Sequence, residues 1–158
     1  MTKSIKKIAL IVTMGTFLSK GGGLLRQLFI AGAFGIGTAY DAYNYAYILP
    51  GFFLVLIGGI NGPLHNAIVS VLTEKSEKES RYITTAVNTI VCSLLILISG
   101  LIIIAADPLI KIIGPGLTYE AHQIGVIQLQ IMAPIAFISG LIGIGFGTLN
   151  AKDEFFIP

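Results

Sequence analysis

The chain has 158 residues, of which 54% are hydrophobic and 11% charged, with a formal net charge of +2. Soluble domains carry about 25% charged residues. A mean hydropathy of +0.87 cannot be hidden in so small a core, which argues against a water-soluble domain and makes lipid the implied solvent. The near-neutral balance points to no nucleic-acid partner, and the single cysteine, Cys92, permits neither an intrachain disulfide nor a zinc site built on cysteine pairs.

The first apolar segment runs from Ile5 to Phe34. Its basic start resembles a signal peptide, but no small-x-small cleavage site follows and Lys20 interrupts the run. It reads as a retained first transmembrane helix. The stretch LSKGGGLLRQL, residues 18–28, places Lys20 and Arg26 at membrane depth. Each charge there costs at least about 2.5–3.5 kcal/mol, so such groups face a bundle interior or a water-filled cavity. Snorkelling to an interface is the alternative for both. On a regular helix the two cations lie about 120° apart. Gly21, Gly22 and Gly23 predict a bend or hinge that brings them to one cavity.

The second segment, Thr38 to Leu72, is too long for one straight crossing of about 20 residues. Thr38 and Asp41 have capping-box spacing, and an acid in the first turn suits the helix dipole. Asp41 is also a candidate partner for a cation of the first segment. Asn44 follows on the same side. Tyr40, Tyr43 and Tyr47, at i, i+3 and i+7, read as an interfacial aromatic belt. Pro50 and Gly51 predict a kink or break. In GGINGPLHNA, Asn61 or Gly62 can cap and Pro63 suits the first position of a new helix. Broken helices at membrane depth line cavities and mark transporters. His65 has no second metal ligand in register.

The third segment covers Tyr82–Ala106, after the charged loop TEKSEKESR. The fourth covers Ala121–Leu149, after a loop with a Gly-Pro-Gly turn at 114–116. Pro134 predicts a kink. Gly140, Gly143 and Gly147 form a small-residue stripe suited to close helix packing. Seven cations (Lys3, Lys6, Lys7, Lys75, Lys78, Arg81, Lys152) fall on one side and only Lys111 on the other. This bias puts the N-terminus and the 74–81 loop in the cytoplasm. Residues 155–158 read as the beginning of a further apolar segment, so the chain is expected to be the N-terminal part of a longer protein. The fold class is all-α, a polytopic transmembrane bundle of four helices (5–34, 38–72, 82–106, 121–149) plus the start of a fifth. No nucleophile–base pair, phosphate loop or heme motif is present, so neither an enzyme nor a cofactor is expected.

Ser19-Lys20, Gly23-Leu24-Leu25-Arg26, Ala33-Phe34-Gly35, Asp41-Ala42-Tyr43 and Leu49-Pro50 follow one another in an order and spacing that resemble the start of the MurJ/MviN family of lipid II flippases. Thr148-Leu149-Asn150 and Phe156-Ile157-Pro158 resemble its passage into a fifth helix. The resemblance implies the multidrug/oligosaccharidyl-lipid/polysaccharide exporter fold, in a multi-pass protein of the bacterial inner membrane. It implies alternating-access export of lipid-linked peptidoglycan precursor for cell wall synthesis. Positions matching Lys20 and Arg26 line the family's cavity and hold the substrate diphosphate, and the acid matching Asp41 is functionally important. The implied partners are an anionic polyprenyl-diphosphate lipid, membrane lipid and the remainder of the polypeptide. The chain departs from the family pattern in three places. Lys20 replaces an arginine and lacks the bidentate fork. Leu54 stands where another arginine is usual, and Gly-Gly-Ile-Asn-Gly-Pro replaces an acidic motif. Two other readings stay open: a related exporter of another polyprenyl-linked glycan or a drug, and a non-transporting membrane scaffold. Basic rather than acidic charges at membrane depth favour an anionic cargo.

Overall fold

The computed structural model describes residues 5–35, 37–59 and 62–152. These form seven helices: α1 (Ile5–Phe34), α2 (Thr38–Leu56), α3 (Pro63–Leu72), α4 (Glu77–Ile104), α5 (Ala106–Ile113), α6 (Tyr119–Met132) and α7 (Ile135–Ala151). No strand occurs among the described residues. The all-α class and the first segment's bounds agree with the sequence. The second segment is two helices, divided at the restart expected at Pro63, and the fourth, expected to kink at Pro134, is divided there.

Local chemistry explains the differences. The helix expected from Tyr82 begins at Glu77 because Ser76 and Glu79 form a reciprocal capping box. The Ser76 backbone N–H donates to the Glu79 carboxylate at 3.1 Å, and the Glu79 N–H donates to Ser76 Oγ at 3.4 Å. Most of the charged loop is therefore the first turn of α4. The loop expected at 107–120 contains α5, with Asp107 in its first turn and Lys111 in its last, as the dipole favours. The Thr38–Asp41 box does not form. Gly37 is the N-cap without a side-chain bond, and Asp41 sits in the first turn.

Two expected breaks are absent. α1 runs unbroken through Gly21, Gly22 and Gly23. Glycine costs about 1 kcal/mol per position relative to alanine in a helix, but it keeps its backbone N–H and C=O, so the hydrogen-bond ladder of α1 passes through all three without a break. Lys20 and Arg26 thus keep their angular separation. α2 likewise continues through Pro50 and Gly51 to Leu56. The break falls after Leu56. Gly62 caps α3 and Pro63 occupies its first turn, as expected; Asn61 lies outside the described residues. The α6–α7 junction at Pro134 is stitched to α4 by Ser99, whose buried hydroxyl donates to the Ala133 carbonyl at 3.0 Å.

Two apolar clusters hold the bundle. One joins Ala46 of α2, Ile102 of α4, Ala106 and Ile110 of α5 and Leu129 of α6. The other joins Ile68 and Leu72 of α3 to Ile144 of α7, flanked by Val87 and Val91 of α4. The glycines of α7 permit the second. A Cβ on Gly143 would stand 2.1 Å from the Ile57 carbonyl oxygen, one on Gly140 2.4 Å from Leu95, and one on Gly147 2.9 Å from Ile68. The stripe is a packing surface, as its spacing predicts. Cys92 is a buried packing residue. α1 stands apart, with Phe17 78% and Phe29 75% exposed.

Candidate functional site

The C-terminal half of α1 meets the bundle at the first turns of α2, and polar contacts define the meeting. Arg26 donates a hydrogen bond to the Tyr43 hydroxyl. Its guanidinium also lies 5.2 Å from the ring centroid of Tyr47, within cation–π range. The rings of Tyr43 and Tyr47 stack at 5.8 Å and 20°. At the next residue of α1, Gln27 Nε2 donates to the Tyr40 hydroxyl at 2.7 Å. The three tyrosines share a face because their i, i+3, i+7 spacing follows the helix repeat. Their spacing alone suggests an interfacial belt; in the fold they form a cradle for Arg26 and Gln27.

The arrangement fixes a cation without neutralising it. A guanidinium carries five N–H donors in a planar fork. Tyr43 takes one, and Tyr47 lies within cation–π distance, so the two phenols engage only part of the donor set. A fork so held can receive a phosphate edge by two parallel hydrogen bonds, the strongest neutral-pH recognition of that group.

The other sequence-predicted residues are not gathered there. Lys20 is exposed on α1 and makes no hydrogen bond or ion pair among the described residues. Asp41 and Asn44 are exposed on α2. The ion pair expected between Asp41 and a cation of α1 is absent among the described residues, because the phenol groups of the same helix face occupy Arg26 instead. No cluster of three metal-ligating side chains occurs among the described residues.

Sequence reading passed over two features. Tyr43 and Tyr47 were legible as a helical stripe, but nothing in their spacing names Arg26 as the partner. His65, 4% exposed, contacts Asn150 of α7 at 2.8 Å and Asn66 at 3.2 Å. With Asn66 Oδ1 accepting, Nδ1 carries the proton and Nε2 accepts from Asn150, as the amides are assigned. The contact closes α3 onto α7, a separation of 85 residues that no local pattern reveals.

Similarity to known proteins decides the family. The family model described as Lipid II flippase MurJ matches residues 30–158. The chain belongs to the MurJ family. A probable lipid II flippase MurJ of Synechocystis sp. is 48% identical over 157 residues, covering 99% of this chain and 30% of the relative. The lipid II flippase MurJ of Thermosipho africanus is 30% identical over 159 residues, covering 98% of this chain and 32% of the relative. The chain thus spans about a third of the length of the curated relatives it matches. No solved structure matches. The MurJ family match starts at Ile30, beyond Lys20 and Arg26, so membership rests on the chain from the end of α1 onward. As a MurJ-family member the chain is a membrane protein, and two of its helical stretches, Glu77–Ile104 and Tyr119–Ala151, are long and apolar enough to cross a bilayer.

Proposed function

We propose that this chain is the N-terminal portion of an inner-membrane lipid II flippase, and that Arg26 grips the diphosphate of the anionic polyprenyl-linked precursor. The observation that carries the reading is the cradle: a cation contacted by Tyr43 and Tyr47 and unpaired with any acid among the described residues. Arg26 is exposed beside the phenols, so its charge is open to a ligand.

Lys20 adds a second positive charge one to two turns earlier on α1. Its separation from Arg26 around the helix suits a large head group that is passed along the helix rather than clamped at one point. Asp41 and Asn44, both exposed at the start of α2, are the polar groups that would meet polar parts of the cargo. Gly21, Gly22 and Gly23 have open space around each added Cβ. Close packing therefore does not explain them within this chain, and their role is a hinge in α1 during alternating access. The junctions between α2 and α3 and at Pro134 absorb the remaining movement. The reading includes no catalysis; the substrate crosses chemically unchanged. Its test is complementation of a flippase-depleted bacterium with the full-length gene. Restored growth and lipid II export is the expected result; failure of an expressed, membrane-inserted protein to restore them refutes it.

A further inference from the structure

At the end of the bundle remote from the tyrosine cradle, two cavities meet at Leu72. The first, of about 280 Å³, is lined by Lys75, Glu77 and Ser80 at the start of α4 and by Thr148 and Lys152 at the end of α7. The second, of about 140 Å³, is apolar and runs between α3, α4 and α7, walled by Leu64, Ile68, Val87 and Ile144, with Thr84 beside them. A cavity of roughly 150 Å³ is enough for a benzene-sized apolar group.

Three polar groups at this junction are unspent. Ser80 is 7% exposed, and its hydroxyl has no hydrogen bond among the described residues. Thr148 differs, since its hydroxyl already donates to its own helix, to Ile144 at 2.8 Å. Thr84 Oγ1 is buried with no partner. That is unusual on this helix, because Thr85 and Thr89 both donate back to the carbonyl four residues earlier, the usual outlet for a helical threonine. The third group is the pair of ammonium ions of Lys75, just before α4, and Lys152, just after α7, which line one cleft; Lys75 also faces the Glu79 carboxylate.

Ser80 and Thr84 lie at i and i+4, on one face of α4 and about one turn, 5–6 Å, apart. The site therefore grades along α4 from two cations and a hydroxyl, through a second hydroxyl, to an apolar trough. A glycerophospholipid grades the same way, from phosphate through ester carbonyl to acyl chain. We propose that this crevice binds a single anionic glycerophospholipid. Its phosphate sits between Lys75, Lys152 and Ser80, an ester carbonyl takes the Thr84 hydroxyl after a χ1 turn, and one acyl chain enters the trough. The lining charges, two lysines and Glu77, sum to +1, and Glu79, which Lys75 also faces, lowers the local balance further, so the crevice suits a singly charged phosphodiester better than a diphosphate. The site is thus separate from the transport cradle, and the lipid is a resident of the cytoplasmic leaflet rather than cargo.

The test uses purified full-length protein in mild detergent. It is equilibrated with equal amounts of phosphatidylglycerol and chain-matched phosphatidylcholine, and retained lipid is read by native mass spectrometry. One phosphatidylglycerol per protein is expected, with each lysine contributing roughly a fivefold preference. Lys75→Gln with Lys152→Gln should bring the two lipids to parity, and Ser80→Ala and Thr84→Val should each weaken retention. Ala67→Phe, which narrows the trough, should reduce binding of both lipids, and unchanged melting of each variant keeps these losses specific. Equal retention of both lipids by the wild type, or an unchanged preference in the double lysine variant, overturns the proposal. Displacement of phosphatidylglycerol by millimolar inorganic phosphate, with the Ala67→Phe variant binding normally, overturns it in favour of a free-phosphate site.

Discussion

The Arg26 guanidinium lies over the ring of Tyr47, 5.2 Å from its centroid, and joins α1 to α2 where the two helices otherwise touch little. The pair makes Tyr47 an orienting group for the cation. Cation–π contacts contribute about 0.5–1 kcal/mol when exposed and about 2 when desolvated. Tyr47→Leu is therefore expected to lower flippase activity by roughly 3- to 30-fold while the protein remains in the membrane. Tyr43→Phe, which removes one hydrogen bond and keeps the stack, should cost less. Outer-leaflet lipid II in a depletion strain is the readout, and equal activity of Tyr47→Leu and wild type contradicts the orienting role.

Gly143 and Gly145 separate packing from helix propensity within one helix. A Cβ on Gly143 meets the Ile57 backbone carbonyl, which cannot swing aside as a side chain would, whereas Gly145 has nothing within 4 Å. Gly143→Ala is expected to destabilise by about 1–3 kcal/mol. Gly145→Ala should be neutral or stabilise by up to about 1 kcal/mol. Thermal unfolding in detergent distinguishes the two.

Gly21, Gly22 and Gly23 supply a test of stability against movement. All three have room for a methyl group, so the triple alanine variant should be at least as stable, by up to about 1 kcal/mol per site. If the triplet bends during transport, that same variant should lose export. A variant that is both more stable and fully active shows that the glycines are not a hinge.

The capping box of α4 carries a pH dependence. The Ser76 hydroxyl and backbone N–H hold the Glu79 carboxylate below the usual glutamate range, with Lys75 assisting. Glu79 precedes the apolar run that begins at Tyr82, so it titrates at the aqueous end of the helix. A depressed folded-state pKa contributes stability above the unfolded pKa, and that contribution is lost as pH falls through the folded value. Melting temperature should therefore drop on acidification in the wild type, and by less in Ser76→Ala, which is already weaker at neutral pH. Parallel pH profiles for the two proteins contradict this.

Much of the fold was legible because its causes are local. The bounds of α1, the Gly62–Pro63 restart and the small-residue face of α7 follow from hydropathy, capping and residue size. The start of α4 was misplaced because the Ser76–Glu79 box was hidden in a run that reads as a charged loop. The triglycine and Pro50 were over-read as breaks: glycine keeps both groups of the backbone ladder, and α2 runs on through Pro50. The contacts of Arg26 were half legible. Its charge within an apolar run singles it out in the sequence, but its partners were not readable there. Asp41 is the partner that charge suggests, and the tyrosine stripe won because helix periodicity put two phenol rings where one carboxylate was expected. The His65–Asn150 contact needed the tertiary fold.

The most direct measurement is lipid II exposure at the outer leaflet of a flippase-depleted strain carrying the full-length gene with Arg26→Ala, at membrane protein levels matched to wild type. Wild type should restore exposure and growth, Arg26→Lys should restore them in part, and Arg26→Ala should leave lipid II on the inner leaflet. Full restoration by Arg26→Ala would contradict the assignment of Arg26 as the diphosphate-binding cation.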